Sequence, residues 1–273
     1  NGSPYDRIIE HIGKLPLVLS TPYDSDLIRE ISEVRRKWVD GCIAQYNQEY
    51  LADLMVYNRI LSQRNALLKG MEGHLKASNE SLLDTYDTQL ITLSKSLSHV
   101  RADFVDKFVP FLSANEGLIV FEHETCSMTY QSQILAGDFE HTFLESRKKD
   151  LLTLRTNVGS HKDDYSFLMD GQPLKKFGSQ GQQKSFLIAL RLSQYDYLAK
   201  ATQTKPMLLL DDIFDKLDDE RIGRLTDLLS DSARFGQVFI TDARKERSSL
   251  LMKGKHNAKI FEIENGKVNS YET

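Results

Sequence analysis

The residues best suited to do chemistry lie between Gly178 and Asp218. The stretch opens with Gly178-Ser179-Gln180-Gly181-Gln182-Gln183-Lys184 and turns abruptly apolar from Ser185 to about Ala199. Small polar residues running into an apolar segment mark a helix start. There, unpaired N–H groups and the positive end of the helix dipole stabilise an anion. Ser179 is placed to be the N-cap and to offer its hydroxyl to a phosphate oxygen. After Lys205-Pro206, the run Met207-Leu208-Leu209-Leu210 ends in Asp211-Asp212. Four apolar residues are too few for an ordinary helix and read as a buried strand of a mostly parallel sheet. Carboxylates at the C-terminal end of such a strand sit where open α/β sheets hold ligands. Asp211 is suited to magnesium near phosphates, and Asp212 to a nearby water. A capped strand end without chemistry is the plainer alternative.

Three motifs in this order carry a family resemblance. Ser179-Gln180-Gly181-Gln182-Gln183-Lys184 resembles the signature motif of ABC-type ATPases in the form used by RecF proteins. Leu208-Leu209-Leu210-Asp211-Asp212 resembles their Walker B strand, and Asp215-Lys216-Leu217-Asp218 their D-loop. Val158-Gly159-Ser160-His161-Lys162-Asp163-Asp164 resembles a Gly-x-His-Arg-Asp-Asp block that these proteins carry before the signature, here with Lys162 in place of Arg. Relatives often place a switch histidine after the next strand, but Thr241-Asp242 stands there, so that contact is absent or replaced.

Stepping outward, the chain has 273 residues, 40% hydrophobic and 27% charged, with net charge −4. This is ordinary globular composition with room for one or two domains. A slightly acidic total neither advertises nor excludes nucleic-acid binding, because local patches decide. No apolar run is long enough to span a bilayer, and the opening residues lack a signal-peptide pattern, so a cytoplasmic chain without membrane contact is expected. Cys42 and Cys126 show no metal-binding spacing and read as thiols in a reducing compartment.

Leu15–Ser20 reads as a strand and Thr21-Pro22-Tyr23-Asp24 as a turn. Helical periodicity then runs from about Ser25 to Tyr46 and from about Gln48 to Lys69. The third segment is the clearest: Leu83, Leu90, Leu97, Phe104 and Phe111 recur every seven residues, a helix-packing seam. Leu118–Phe121 and Ser127–Gln133 read as paired strands and Asp138–Thr153 as a helix, with Arg147-Lys148-Lys149 a solvated face. His161, Asp163 and Asp164 invite a metal reading, but nothing nearby completes a ligand set, and a polar turn is favoured. Gly236–Asp242 contains a second short apolar strand, and Lys259–Val268 a hairpin with an Asn-Gly turn.

The expected fold is α/β, part of an ABC-type P-loop ATPase head with an inserted helical arm. Residues 1–26 would be the tail of the head's first lobe, 27–145 the arm, and 146–273 the head portion with signature, Walker B and D-loop. No Gly-x-x-x-x-Gly-Lys-Ser/Thr loop is present. Gly178–Ser185 ends in Lys184-Ser185, but Gln183 replaces the second glycine, and the loop precedes the acidic strand. The chain therefore reads as the later part of a longer protein, predicted not to hydrolyse ATP by itself.

The resemblance implies a DNA repair and recombination mediator that binds ATP and Mg2+. It would act at single-strand/double-strand DNA junctions with RecR and RecO and dimerise on ATP to help load the recombinase. Asp211 would hold magnesium through water and Asp212 would polarise the attacking water. Ser179, Gln180, Gly181, Gln182 and Gln183 would meet the γ-phosphate held by the other subunit. Asp215, Lys216, Leu217 and Asp218 would lie at the dimer interface. Arg35, Arg36, Lys37, Arg59 and Arg64 are the arm's candidates for DNA phosphates. The alternatives are a non-enzymatic docking protein and another SMC- or OLD-like ATPase; the short arm and the Ser-Gln-Gly-Gln-Gln wording argue against the latter.

Overall fold

The computed structural model describes residues 8–71, 77–119, 125–214, 217–243 and 259–272. The strand Leu17–Ser20 (β1) finds its partner far along the chain, in Met207–Asp211 (β5). β5 is the central strand of a parallel sheet ordered β1-β5-β6, where β6 is Val238–Thr241. Val18, Leu208 and Leu210 face inward. They pack with Ile188, Leu192 and Leu198 of the long helix Gln180–Thr202 (α8) and with Ile222 and Leu225 of Asp219–Leu229 (α9). Apolar residues on both sides of a short central strand are what a helix-covered parallel sheet requires.

The arm comprises α1 (Ser25–Arg29), α2 (Ser32–Ala44), α3 (Gln48–Gly70) and α4 (Ala77–Ile119). The single helix expected over Ser25–Tyr46 is broken at Glu30 and Ile31, both extended. The Arg35 guanidinium supplies the reason: Nη1 donates to the carbonyls of Leu27 (3.3 Å) and Glu30 (2.9 Å), satisfying the end of α1. Within α4 the heptad positions Leu83, Leu90, Leu97 and Phe104 are fully buried, as a packing seam demands.

The strand expected at Leu118–Phe121 is corrected. α4 continues through Ile119, and residues 120–124 lie outside the described chain. A short apolar run cannot be told from a helix end by periodicity. Here Asn115 extends the buried α4 face, anchored by Asp196 and Arg234. Cys126–Gln131 (β2) pairs instead with Asp164–Met169 (β3), which turns at Asp170-Gly171 into Gln172–Pro173 (β4). Between β2 and β3 stand α5 (Phe139–Glu145) and α6 (Arg147–Thr153), divided at Ser146. Leu174–Phe177 (α7) leads into α8, and Lys259–Glu264 (β7) with Lys267–Glu272 (β8) forms the expected Asn265-Gly266 hairpin.

One apolar cluster joins arm to head. It contains Trp38 and Val39 of α2, Tyr57 of α3, Phe104 and Phe108 of α4, Phe167 of β3 and Phe186 and Leu190 of α8. Trp38 meets Phe108 and Phe167 edge-on at centroid distances of 5.8 and 6.2 Å, and its Nε1 donates to Gln194 Oε1 of α8 at 3.1 Å. Cys42 and Cys126 are buried free thiols, and burial pushes the Cys42 thiol up to about 12. Among the described residues no helix is long and apolar enough to cross a membrane.

Candidate nucleotide site

α8 begins with a complete capping box. Ser179 is extended; its Oγ accepts from Gln182 N at 3.2 Å, while Gln182 Oε1 accepts from Ser179 N at 2.7 Å. The serine uses its oxygen lone pair for the cap and keeps its hydroxyl proton to donate outward. Ser179 and Gln180 are exposed, and the amides of Gln180 and Gly181 have no preceding helical turn to bond. Gln183 is half-buried and held locally: its Nε2 donates to the Gly178 carbonyl at 3.0 Å and its Oε1 accepts from Arg29 Nη2 at 3.5 Å. Gly178 must be glycine, because an added Cβ would lie 2.5 Å from Leu174 Cδ1 and 2.8 Å from its carbonyl oxygen.

The acidic strand ends in a sharp turn. Asp211 is exposed and its Oδ1 accepts the Thr241 hydroxyl of the neighbouring strand; the two residues are register partners. Asp212 adopts left-handed backbone (φ 48), an uncommon conformation that Asp tolerates, and its N donates to the Thr241 carbonyl at 3.2 Å. The carboxylates therefore leave the sheet edge in different backbone conformations. Asp211 keeps an oxygen beyond its Thr241 bond, which suits a hard cation completed by water and phosphate oxygens. Asp242 is half-buried directly after Thr241.

Asp215 and Lys216 lie outside the described residues. Leu217 is buried in the core beneath the sheet, and Asp218 is the N-cap of α9, with Oδ1 accepting from Arg221 N at 2.9 Å and Oδ2 from Arg221 Nη1 at 2.7 Å. These bonds hold the Asp218 carboxyl below its ordinary range, the Arg221 backbone amide contributing most. An added Cβ on Gly181 would stand 3.3 Å from Arg221 Nη1, so the Asp218–Arg221 pair sits against the first turn of α8. Sequence reading missed Arg221; its signal is an Asp N-cap followed three residues later by a basic side chain.

The arm's basic residues divide. Arg64 is fully buried: Nε bonds Asp87 Oδ1 at 2.6 Å, and Nη1 bonds Asp150 Oδ2 at 2.7 Å and Thr156 Oγ1 at 2.8 Å. Arg35 grips Asp164 with both Nε (2.8 Å) and Nη2 (3.0 Å). Arg64 is buried with its carboxylates and Arg35, its side chain 11% exposed, is spent on half-exposed Asp164, so neither guanidinium is presented outward, which corrects their expected part in DNA contact. Arg36 donates to Ser32 Oγ at 2.8 Å and the Asp163 carbonyl at 2.6 Å, Lys37 pairs on the surface with Glu33, and Arg59 is exposed.

The Gly159–Asp164 block is likewise explained. Asp163 is buried against Arg101 (2.9 Å) and Tyr130 OH (2.5 Å), and Arg101 also holds Asp40 (2.9 Å). His161 Nδ1 shares a 2.7 Å hydrogen bond with Tyr57 OH and Nε2 a 3.1 Å one with the Thr156 carbonyl. Burial drives the His161 pKa down to about 4. Among the described residues no group of three His, Cys, Asp or Glu is arranged to hold a metal.

A parallel sheet whose central strand ends in paired aspartates, a capped Ser-Gln-Gly-Gln-Gln helix start and an inserted helical arm define part of an ABC-type ATPase head. No family model matches the chain. It is 43% identical over 267 residues to the DNA replication and repair protein RecF of Cytophaga hutchinsonii, covering 97% of this chain and 70% of that protein. It is 42% identical over 264 residues to RecF of Flavobacterium johnsoniae, covering 96% and 73%. The chain belongs to the RecF family of DNA replication and repair proteins. The solved structure of the recombination mediator protein RecF-ATPrS in the RecFOR pathway superposes with TM-score 0.83 at 28% identity, covering 99% of this chain and 71% of that one. That of RecF-ATP gives 0.81 at 28%, covering 99% and 72%.

Proposed function

We propose that this chain is the signature-bearing part of an ATP-clamped mediator of DNA recombination, acting at single-strand/double-strand junctions with RecR and RecO to help load the recombinase. The observation that carries the reading is the capping box at Ser179. It fixes a helix start with an exposed hydroxyl whose proton the cap does not use, and with open amides, a ready-made γ-phosphate contact. Its likeness to proteins solved with ATP and ATPrS supports nucleotide as the anion.

In this reading Ser179, Gln180 and Gly181 face the γ-phosphate bound by a second subunit, with Gln182 and Gln183 holding the loop in shape. A two-fold dimer gives two equivalent sites. Asp211 holds Mg2+, which neutralises phosphate charge, with Thr241 fixing the carboxylate. Asp212 orients the attacking water, and Thr241-Asp242 occupies the switch position. Asp215, Lys216, Leu217 and Asp218 line the dimer interface. Lys37 and Arg59 remain the arm's outward cations for DNA.

The test places this chain within its full-length protein and measures molar mass in saturating ATP and magnesium. Ser179→Arg should abolish ATP-dependent dimerisation while each monomer still binds nucleotide. A dimer as abundant as that of the unsubstituted protein would refute the trans contact.

A further inference from the structure

The turn that follows α6 carries a group of cations with no ion-pair partner among the described residues. Leu154 closes α6 in left-handed backbone (φ 55). Thr153 Oγ1 donates to the carbonyls of Lys149 (2.9 Å) and Arg155 (3.4 Å), so these two residues leave adjacent backbone. Asn157 Nδ2 ties the Arg155 carbonyl (3.0 Å) to Asp150 Oδ1 (2.8 Å). The next turn folds onto the same strip: His161 bonds the Thr156 carbonyl, and Lys162 N bonds the Gly159 carbonyl at 2.8 Å. Arg36 arrives from α2 against the Asp163 carbonyl. The backbone beneath is rigid, since Asp150, Thr156 and Ser160 are buried.

Lys149, Arg155 and Lys162 are exposed. The acid they adjoin, Asp150, is fully buried and committed to Arg64 and Asn157. Several other surface cations are matched, Lys37 with Glu33, Lys95 with Glu140, Lys107 with Asp103 and Arg224 with Glu220. Among the described residues no such partner serves these three. Their mutual closeness registers at Lys162, whose pKa is lowered by partial burial and then by Arg155 and Arg36, with an opposing pull from Asp150 and a weaker lowering by Lys149. In a chain of net charge −4, an unpaired like-charged cluster on a rigid surface is a local anion-attracting field.

We propose that Lys149, Arg155 and Lys162 form a contact surface for the phosphate backbone of duplex DNA, with Arg36 adding field at its inner edge. The proposal rests on the DNA-repair reading above. Duplex backbone is favoured over splayed single-strand bases because Tyr57, the aromatic ring at this turn, is buried, and base stacking needs an exposed one. Fixed cations without base-reading amides position a backbone and do not read sequence.

The experiment is fluorescence anisotropy of a labelled duplex with this 273-residue chain at several salt concentrations. K149E/R155E/K162E should weaken binding on the order of tenfold or more and flatten the slope of log K against log salt by about 2 to 3. K95E/K107E/K205E makes the same change in net charge at exposed lysines elsewhere and should lose much less. The neutral K149Q/R155Q/K162Q should shift in the same direction, which keeps the test valid if the acidic variant folds poorly. Binding by both patch variants equal to the unsubstituted chain, or to the control triple, overturns the patch and leaves the DNA-repair reading standing. An unsubstituted chain without salt-dependent duplex binding overturns the patch together with the arm's part in DNA contact.

Discussion

Arg191 of α8 holds Asp24 with two parallel hydrogen bonds, Nε to Oδ2 at 2.8 Å and Nη2 to Oδ1 at 2.6 Å. Asp24 ends the Pro22 turn between β1 and the arm, so one fork joins the signature helix to the point where the arm begins. The side chains are 12% and 9% exposed, deep enough for an orphaned carboxylate to be costly. Arg191→Ala should destabilise the fold by about 2–4 kcal/mol, and Arg191→Met with Asp24→Leu by less than either single change. Urea unfolding of the three variants checks this. A double variant as unstable as the sum of the singles would show that the pair is not coupled.

The Arg64 cluster should be more sensitive still. Arg64→Ala leaves Asp87 and Asp150 buried, with Arg147 still pairing Asp87 but no other guanidinium at Asp150 among the described residues. The expected loss is about 3–5 kcal/mol. Arg59→Ala, at an exposed site on the same helix, should stay within about 0.5 kcal/mol. Equal midpoints for the two variants in denaturant would contradict the buried assignment.

His161 predicts a pH dependence with a definite sign. Its folded pKa of about 4 lies below the ordinary 6.5, so the unfolded chain binds the proton more readily. Stability from the neutral ring is fully present above pH 6.5 and is lost as pH falls towards 4. Between pH 7 and 5 the loss should be about 2 kcal/mol. His161→Gln should flatten that part of the profile. Parallel profiles for variant and parent would mean that His161 is not the titrating group.

Ser179 should separate structure from ligand contact. Ser179→Ala removes the cap and should cost about 1 kcal/mol of stability. Ser179→Asp preserves the cap yet sets a negative charge where the γ-phosphate is proposed to lie. Within the full-length protein it should melt like the parent and fail to dimerise with ATP. Dimerisation retained by the aspartate variant would argue that the hydroxyl does not face phosphate.

Several of these features were legible in the residues. The Met207–Leu210 run was too short for a helix and became the central strand; Ser179 before an apolar segment became a capping box; the heptad leucines of α4 became its buried seam. What stayed hidden depended on distant partners. Nothing local tells that Leu17–Ser20 pairs with a strand near residue 207, or that Arg64 serves two buried aspartates from α4 and α6. A basic residue on a helix has the same periodicity whether it faces water or a carboxylate. The end of α4 misled for a related reason, since Leu118 and Ile119 fit a strand as well as another helical turn.

The chain's single tryptophan stands where α2, α4, β3 and α8 meet, 8% exposed and bonded to Gln194. Its emission is therefore a one-site optical report on the seam between arm and signature helix. Native protein should fluoresce towards the blue, and a shift of α2 against α8 should change intensity or wavelength before the fold melts. Motions confined to the far end of the α3–α4 pair, around Leu68 and Leu83, should leave the signal still.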